Sequence, residues 1–368
     1  MKLGIIGLPS SGKTTIFNAL TMGNAPTGQG MGGRFDEAGS GRGTAVVDVR
    51  DPRVDVLSRM FNPKKTTYAR ITYTDVAGLQ KSEGEAGSGL SPQLLNHLSG
   101  LEGFIHVVRA FQNASVPHPD GSVDPARDLA TLDTEFLLSD LGTVERRIEK
   151  IQEGLNRGAT KDKAAATAEL ALFEQMDATL TEGKPLRVLD LTKEQLRGLR
   201  GYGFLTLKPK IVLINIGDDQ DSIALAYDEP HALMAEIRGR LEMELAQLSA
   251  AGDSESLELF MAEYGVQELS LDRVIRLSYE LMGLQSFFTV GEDEVRAWEV
   301  NRGAPAVDAA GVIHSDLAKG FIRAEVVHYD DLVALGGLAA ARTAGKLRQE
   351  GKAYIVQDGD VLNIRFNL

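Results

Sequence analysis

The hydrophobic positions in the first part of the chain and near residue 210 follow the patterns of β-strands. Continuous apolar runs at 2–6, 104–108 and 210–214 are typical of strands that are buried on both faces of a parallel sheet. Residues 44–49 alternate in polarity, and a further strand is predicted at 69–74. These runs predict an α/β fold with a mainly parallel sheet.

A helical pattern occupies the middle of the chain. Its apolar residues are spaced four, three, four, three and four positions apart, which is a heptad seam: Leu137, Leu141, Val144, Ile148, Ile151 and Leu155. Gly158 predicts a turn, and an alanine-rich helix is predicted over 164–180. We expect a helical hairpin, a coiled-coil arm inserted at 134–205. The alternative is that both helices pack on the main domain, because the seam is short for an isolated coiled coil.

The pattern changes again after residue 283. Short strands are predicted at 287–290, 295–298, 353–356 and 361–366, with one helical stretch near 331–348. Asp358-Gly359-Asp360 predicts a tight turn between the last two strands. We therefore expect a small mixed domain at 284–368, while 1–133 and 206–283 form the α/β domain.

A glycine-rich motif directly follows the first apolar run. Residues 7–14 match G-x-x-x-x-G-K-[ST], and residues 15–21 are suited to a helix. In this arrangement main-chain N–H groups bind the β- and γ-phosphates, Lys13 reaches the same oxygens, and the Thr14 hydroxyl holds Mg²⁺. The predicted nucleotide ligands in this loop are Pro9, Ser10, Ser11, Gly12, Lys13, Thr14 and Thr15. The alternative is a glycine-rich turn with a solvated lysine.

The strand at 69–74 leads into a second phosphate-related motif, Asp75-x-x-Gly78. Its carboxylate reaches Mg²⁺ through water, and the Gly78 N–H meets the γ-phosphate. Two glycine-rich segments, 23–43 and 82–91, flank this motif along the chain. We expect them to be mobile segments that triphosphate orders. For 23–43 the alternative is a plain flexible linker.

Composition narrows the class of protein. The 368 residues are 43% hydrophobic and 25% charged, which is ordinary for a soluble chain of two or three domains. The chain has no cysteine, which excludes disulfides and thiolate zinc sites and agrees with a cytoplasmic location. No apolar run approaches the roughly 20 residues that span a bilayer, so no membrane partner is expected. The net charge of −13 disfavours broad non-specific binding to nucleic acid.

Several motifs occur in an order that is specific to one family. Besides the phosphate loop and the seam, they are Asp51-Pro52-Arg53, Asp75–Leu79, His106–Phe111, the Asn215 motif, 287–292, 311–314 and 320–325. Over nearly the whole chain this order resembles the Obg-like ATPase (YchF) family of P-loop NTPases. The resemblance implies nucleotide hydrolysis linked to translation. It also implies that 284–368 is a TGS domain, a ubiquitin-like β-grasp module. Ribosomal RNA or ribosomal proteins would then contact that domain and the helical arm.

The resemblance also implies how the site departs from ordinary GTPases. Leu79 stands where many of them carry a catalytic glutamine, so another residue must position the water. His118 matches a histidine that family members carry in the loop after the strand ending near Arg109. Lys13, Gly78 and His118 are therefore the predicted catalytic residues. The alternative is that His118 is a solvated loop residue.

The predicted base-binding residues are Asn215, Ile216 and Asp218. The family usually has Asn-x-x-Glu here and is associated with ATP, whereas an aspartate can accept hydrogen bonds from guanine N1–H and N2–H₂. We expect ATP rather than GTP as substrate, although Asp218 by itself argues for GTP. The threonine of the family's first switch is absent near 38–39, and the serine of its later base loop is absent near 238–240.

Three functions are consistent with these features. The first is a slow Mg²⁺-dependent nucleoside triphosphatase that switches a ribosome-facing surface. The second is a nucleotide-sensing binding module with negligible turnover, which the missing switch threonine and Leu79 favour. The third is a small-molecule kinase, and it is weak because such kinases lack both the Asp-x-x-Gly motif and a β-grasp tail.

Overall fold

A computed structural model describes residues 1–21, 43–76, 89–158, 162–227, 229–264, 266 and 269–367. Its strands are β1 (Lys2–Ile6), β2 (Gly43–Val49), β3 (Lys65–Thr67), β4 (Ala69–Asp75), β5 (Gly103–Arg109), β6 (Lys210–Asn215), β7 (Ala232–Ile237), β8 (Leu284–Thr289), β9 (Glu294–Asn301), β10 (Phe321–His328), β11 (Arg348–Glu350) and β12 (Asp360–Phe366).

Its α-helices are α1 (Lys13–Thr21), α2 (Pro52–Phe61), α3 (Pro92–Ser99), α4 (Pro125–Asn156), α5 (Lys163–Thr181), α6 (Lys193–Leu199), α7 (Gly239–Ala251), α8 (Ser254–Glu263), α9 (Ser270–Leu281), α10 (Ala306–Ile313), α11 (Ser315–Lys319), α12 (Tyr329–Leu335) and α13 (Leu338–Thr343). Among the helices of the described ranges, none is both long and apolar enough to cross a membrane.

Contacts between residues divide the chain into two compact units. Unit 1 comprises Met1–Ala45 and Thr72–Leu271, and unit 2 comprises Val46–Ile71 and Asp272–Leu368. This grouping differs from the sequence-based division in two respects. The helical hairpin groups with the phosphate loop, and residues 46–71 group with the C-terminal part of the chain. The predicted three-domain division stays a prediction.

The sheet that carries the phosphate loop has the strand order β2-β4-β1-β5-β6-β7. The five strands from β4 to β7 are parallel, which confirms the predicted mainly parallel sheet. Arg109 at the end of β5 lies in register with Asn215 at the end of β6. Because the strands are parallel, their carboxyl ends meet at one edge, and the predicted nucleotide site lies there.

The heptad seam of α4 packs within unit 1. Val144 of the seam is fully buried against Phe173 and Met176 of α5, and the segment 186–207 completes this cluster. Nearer its amino end, α4 packs Leu132 and Phe136 against the sheet. The helix therefore has its first part on the sheet and its distal part on α5.

Unit 2 contains a second sheet, with the order β11-β10-β12-β8-β9-β3. Its last strand, β3, comes from the segment 46–71 and pairs in parallel with β9. Arg53 of α2 donates a hydrogen bond of 2.8 Å to the Asp358 carboxylate, and its guanidinium lies 5.0 Å from the ring centroid of Phe288. These contacts attach the segment 46–71 to the C-terminal sheet.

Two predictions for the C-terminal part are wrong. Residues 353–356 are not a strand, because the main chain of Tyr354 and Val356 bonds to residues 304–306 instead of a neighbouring strand. The helical stretch predicted near 331–348 consists of α12 and α13. They are separated by Gly336 and Gly337, whose φ angles of +78° and +147° cannot continue a helix.

Candidate functional site

The phosphate loop joins β1 to α1, as the motif predicts. Ser10 and Gly12 have φ angles of +62° and +96°, so the loop turns through left-handed backbone between strand and helix. A Cβ atom on Gly12 would lie 2.2 Å from Asn215 Nδ2, so a larger residue at this position would force Asn215 to move. The glycine is therefore required both for the backbone angle and for the close approach of Asn215.

The two predicted metal ligands meet at the start of α1. The Thr14 hydroxyl donates a hydrogen bond of 2.8 Å to Asp75 Oδ2, and Asp75 is 1% exposed at the end of β4. A hydroxyl and a carboxylate are the oxygen donors that Mg²⁺ prefers, so these residues fit the ion. Beside them, the buried Ser11 hydroxyl has no hydrogen-bond partner among the described residues. Gly78, the glycine of the Asp75-x-x-Gly78 motif, lies outside the described ranges.

Lys13 lies against the loop that it follows. Its ammonium donates a hydrogen bond of 2.8 Å to the Leu8 carbonyl, and the residue is buried. Pro9, Ser10, Ser11, Gly12, Thr14 and Thr15 surround it in the same loop and first helical turn. The structure therefore brings together the phosphate ligands that were predicted within this loop, while their roles stay predictions.

Asn215 connects the phosphate loop to α7. Its Nδ2 donates to the Ser11 carbonyl and its Oδ1 accepts from the Gly239 N–H, both at 3.0 Å. The side chain is buried, and one N–H and the oxygen of its amide are bonded to the main chain in this conformation. Asn215 thus joins the phosphate loop to the first residue of α7, while its role in base binding stays a prediction.

Asp218 and Ile216 follow Asn215 at the carboxyl edge of the sheet. Ile216 is buried, and Asp218 is partly exposed. Burial raises the pKa of the Asp218 carboxyl, while a hydrogen bond from the Leu241 N–H opposes the shift. The carboxylate thus lies beside the first turn of α7, and its contact with a base stays a prediction.

His118 is not a solvated loop residue. Its side chain is 3% exposed, and it lines a small cleft together with Leu8, Pro9 and Ser11 of the phosphate loop. Its Nδ1 accepts a hydrogen bond of 3.1 Å from the Asp120 N–H. Nε2 therefore carries the proton and donates to Asp128 Oδ2 at 2.8 Å.

Comparison with known proteins identifies the family. The ribosome-binding ATPase YchF of Bacillus subtilis is 38% identical over 99% of both chains. The ribosome-binding ATPase YchF of Escherichia coli O157:H7 is 39% identical over 100% of this chain and 99% of its own. The chain belongs to the YchF/Obg-like ATPase family. Rice Obg-like ATPase 1 is 35% identical and is covered over 92% of its length.

Two further comparisons support membership of the YchF family. Residues 284–367 match the family model YchF-GTPase_C, described as a protein of unknown function (DUF933). A solved structure of the YchF GTPase of Schizosaccharomyces pombe superposes with a TM-score of 0.81 at 31% identity. It covers 99% of this chain and 97% of its own. The fold of unit 1 and unit 2 is therefore that of a YchF protein.

Sequence reasoning missed two residues of this YchF site. Asp128 bonds to His118, and Arg109 donates to the carbonyls of Ser10 and Val116. Burial lowers the pKa of the Arg109 guanidinium, and the charge of Asp128 opposes this shift. Only Arg109 had a signal in the sequence, because it ends an otherwise apolar strand.

Proposed function

We propose that this chain is a Mg²⁺-dependent nucleoside triphosphatase that hydrolyses the β–γ phosphoanhydride, with ATP as its preferred substrate. The contact between Thr14 and Asp75 is the main support, because it brings together the two predicted Mg²⁺ ligands beside the predicted phosphate loop. The bacterial relatives are named ribosome-binding ATPases, which supports ATP hydrolysis and ribosome binding for this chain as well. We therefore propose that the chain acts as a nucleotide-dependent switch on the ribosome.

Each residue has a distinct role in this proposal. Lys13 exchanges the Leu8 carbonyl for the β- and γ-phosphate oxygens, and Thr14 and Asp75 hold Mg²⁺, directly and through water respectively. The metal, when bound, neutralises charge on the transferred phosphoryl group. The Gly78 N–H meets the γ-phosphate, and His118 orients the attacking water. To do so, His118 must exchange one of its two present hydrogen bonds.

A Lys13→Ala substitution tests the phosphate site. We expect it to weaken binding of a non-hydrolysable ATP analogue about tenfold or more, because a charge-assisted bond to the phosphates is lost. Calorimetric titration in Mg²⁺ measures the affinity, and circular dichroism verifies the fold. Unchanged affinity would exclude this loop as the phosphate site.

The choice of base requires a direct comparison of nucleotides. The bacterial relatives are named ATPases, whereas the solved neighbour is titled a GTPase. We expect ATP and ADP to bind more tightly than GTP and GDP in the same titrations, and Asp218→Ala to weaken ATP and GTP alike. A GTP preference above tenfold contradicts the proposal. A selective loss for GTP of about 1–3 kcal/mol in Asp218→Ala would assign guanine to Asp218.

One observation favours the second candidate, a nucleotide-sensing module with negligible turnover. Both ring nitrogens of His118 are already bonded within the protein. To contact the attacking water, His118 would have to break one of these hydrogen bonds, which costs free energy. Phosphate release measured with and without intact ribosomes separates the two. Stimulation by ribosomes supports the triphosphatase, whereas tight ATP binding without release under either condition supports the module.

We also propose where the ribosome binds. Residues 284–367 would form a TGS-type β-grasp domain, and α4 with α5 would form a coiled-coil arm. Both would contact ribosomal RNA or protein. Cosedimentation with ribosomes tests this for the full chain and for a form whose hairpin tip, 145–170, is replaced by a short linker. Equal cosedimentation would exclude the arm from the interface.

A further inference from the structure

Arg109 is a buried cation whose hydrogen bonds all end on main-chain oxygens within the described part of the chain. The residue is 2% exposed. It donates to the carbonyls of Ser10, Phe111 and Val116, at 3.4, 3.2 and 2.7 Å. Its guanidinium also lies 4.5 Å from the ring centroid of Phe111. A buried charge is costly unless it is well hydrogen-bonded, so this arrangement calls for an explanation.

The three carbonyls belong to two separate loops of the site, because Phe111 and Val116 both lie in the segment that follows β5. Ser10 is in the phosphate loop and has a φ of +62°, which is unfavourable for a residue with a side chain. Val116 is in the segment 110–124, which contains neither helix nor strand, and it precedes His118 by two residues. One planar side chain therefore bonds both loops.

The imidazole of His118 depends on the path of this second loop. After Val116, the next side-chain contacts are the bonds of His118 to the Asp120 N–H and to Asp128. Asp128 is itself fixed by Arg127, whose guanidinium donates to Asp128 Oδ1 at 2.8 and 3.1 Å. Asp128 thus holds the imidazole of His118, and Arg109 holds the loop residue two positions before it.

We propose that Arg109 is a positioning residue that couples the conformation of the phosphate loop to the position of His118. If triphosphate binding shifts the phosphate loop, the Ser10 carbonyl moves. The Arg109 guanidinium then moves with it, and so do the Val116 carbonyl and the loop that contains His118. A lysine cannot replace it, because a single ammonium lacks the rigid fork that reaches carbonyls in divergent directions. The role in hydrolysis rests on the function proposed above.

A double-mutant cycle tests this coupling. We expect Arg109→Met to lower kcat for ATP hydrolysis about tenfold or more, with the affinity for a non-hydrolysable analogue changed less than about threefold. In the His118→Ala background, Arg109→Met should lower kcat by a further factor of less than about two, because Arg109 acts through His118. Effects that multiply independently would overturn the proposal. So would Arg109→Met lowering kcat where His118→Ala does not.

Two further variants exclude a merely structural effect. Arg109→Lys keeps the charge and should be as defective as Arg109→Met, and full activity of the lysine variant would contradict the need for the fork. Arg187 is the matched control, because it is also buried but bonds to Glu229 and Thr206 elsewhere in unit 1. Arg187→Met should lower the melting temperature and leave kcat unchanged.

Imidazole NMR gives a readout without turnover. The chain has six histidines, so His118→Ala identifies the His118 signals in ¹⁵N-histidine-labelled protein. We expect one Nε2–H tautomer in the natural protein and a mixture in Arg109→Met. Unchanged His118 signals would overturn the proposal, whatever the activity. If the natural protein does not hydrolyse nucleotide at all, the proposed function fails, while this measurement still decides the coupling.

Discussion

The two ends of strand β6 bury polar groups in opposite ways. At its amino end, Lys210 is 2% exposed and forms an ion pair of 2.5 Å with Asp133 of α4. Glu229, which is partly exposed, and the buried Arg187 form a second ion pair nearby, joined to the first through the Tyr227 hydroxyl. At its carboxyl end, Asn215 and the adjacent Arg109 bond to main-chain atoms.

We expect this difference to separate groups that stabilise the fold from groups that contribute to ligand binding. At the amino end, Lys210 and Arg187 are each paired with a carboxylate, so a further anion gains little from these two cations. At the carboxyl end, the guanidinium of the buried Arg109 bonds to carbonyl oxygens beside the phosphate loop and to no carboxylate among the described residues. We therefore expect a triphosphate to gain electrostatic stabilisation at the carboxyl end of the sheet.

The largest effect is expected at the amino end. Asp133→Ala should lower the free energy of unfolding by about 3–5 kcal/mol, because it leaves the Lys210 ammonium buried without its carboxylate. ATP affinity should change less than about twofold. Urea unfolding and calorimetry measure the two quantities. The double variant with Lys210→Met should recover part of the loss, and failure to do so would mean that Asp133 acts through Tyr227.

The next effect concerns Asp140, which accepts hydrogen bonds from Leu205 and Thr206 just before β6. Burial raises the pKa of this carboxyl to about 6. The folded state then binds the proton more tightly than the unfolded chain. The resulting stabilisation is complete below the unfolded pKa near 4 and is lost as the pH rises through 6.

The size of this pH effect is at most about 3 kcal/mol. Urea unfolding of the natural protein and of Asp140→Asn, from pH 4 to pH 7, isolates it. The stability of the natural protein relative to the variant should fall as the pH rises through this window. A constant difference would show that the three hydrogen bonds offset the burial.

The smallest effect is expected at the carboxyl end. Asn215→Ala leaves the Gly239 N–H and the Ser11 carbonyl without their partner, which costs about 1–3 kcal/mol. We expect the loss mainly as weaker ATP binding, by about tenfold, since the phosphate loop loses its anchor to α7. Asn215→Asp keeps the acceptor for Gly239 and is the matched control. A loss of stability with unchanged affinity would make this end equivalent to the other.

Local sequence patterns were sufficient to predict the central strands and the phosphate loop. The first strand was predicted with the bounds that the structure has, Lys2–Ile6, and the apolar runs at 104–108 and 210–214 became β5 and β6. The phosphate loop also follows from its motif, because its glycines meet a backbone requirement within nine residues.

Pairings between distant segments could not be predicted. Lys210 and Asp133 are 77 residues apart, and nothing in either segment identifies the other. The same holds for Arg109 and the Ser10 carbonyl, 99 residues apart. The sequence left open whether His118 is solvated. Its burial depends on the contact with Asp128 of α4, and only the three-dimensional fold brings these two residues together.

The origin of strand β3 has a practical consequence for work on fragments. A polypeptide that begins at residue 284 contains β8 to β12 but lacks the strand that pairs with the outer side of β9. Its β9 would present unpaired N–H and C=O groups over 294–296, an edge of the kind that recruits other chains into aggregates. Arg53 would be absent as well, and Asp358 would lose its guanidinium partner. A soluble C-terminal fragment should therefore include residues 46–71, joined by a linker.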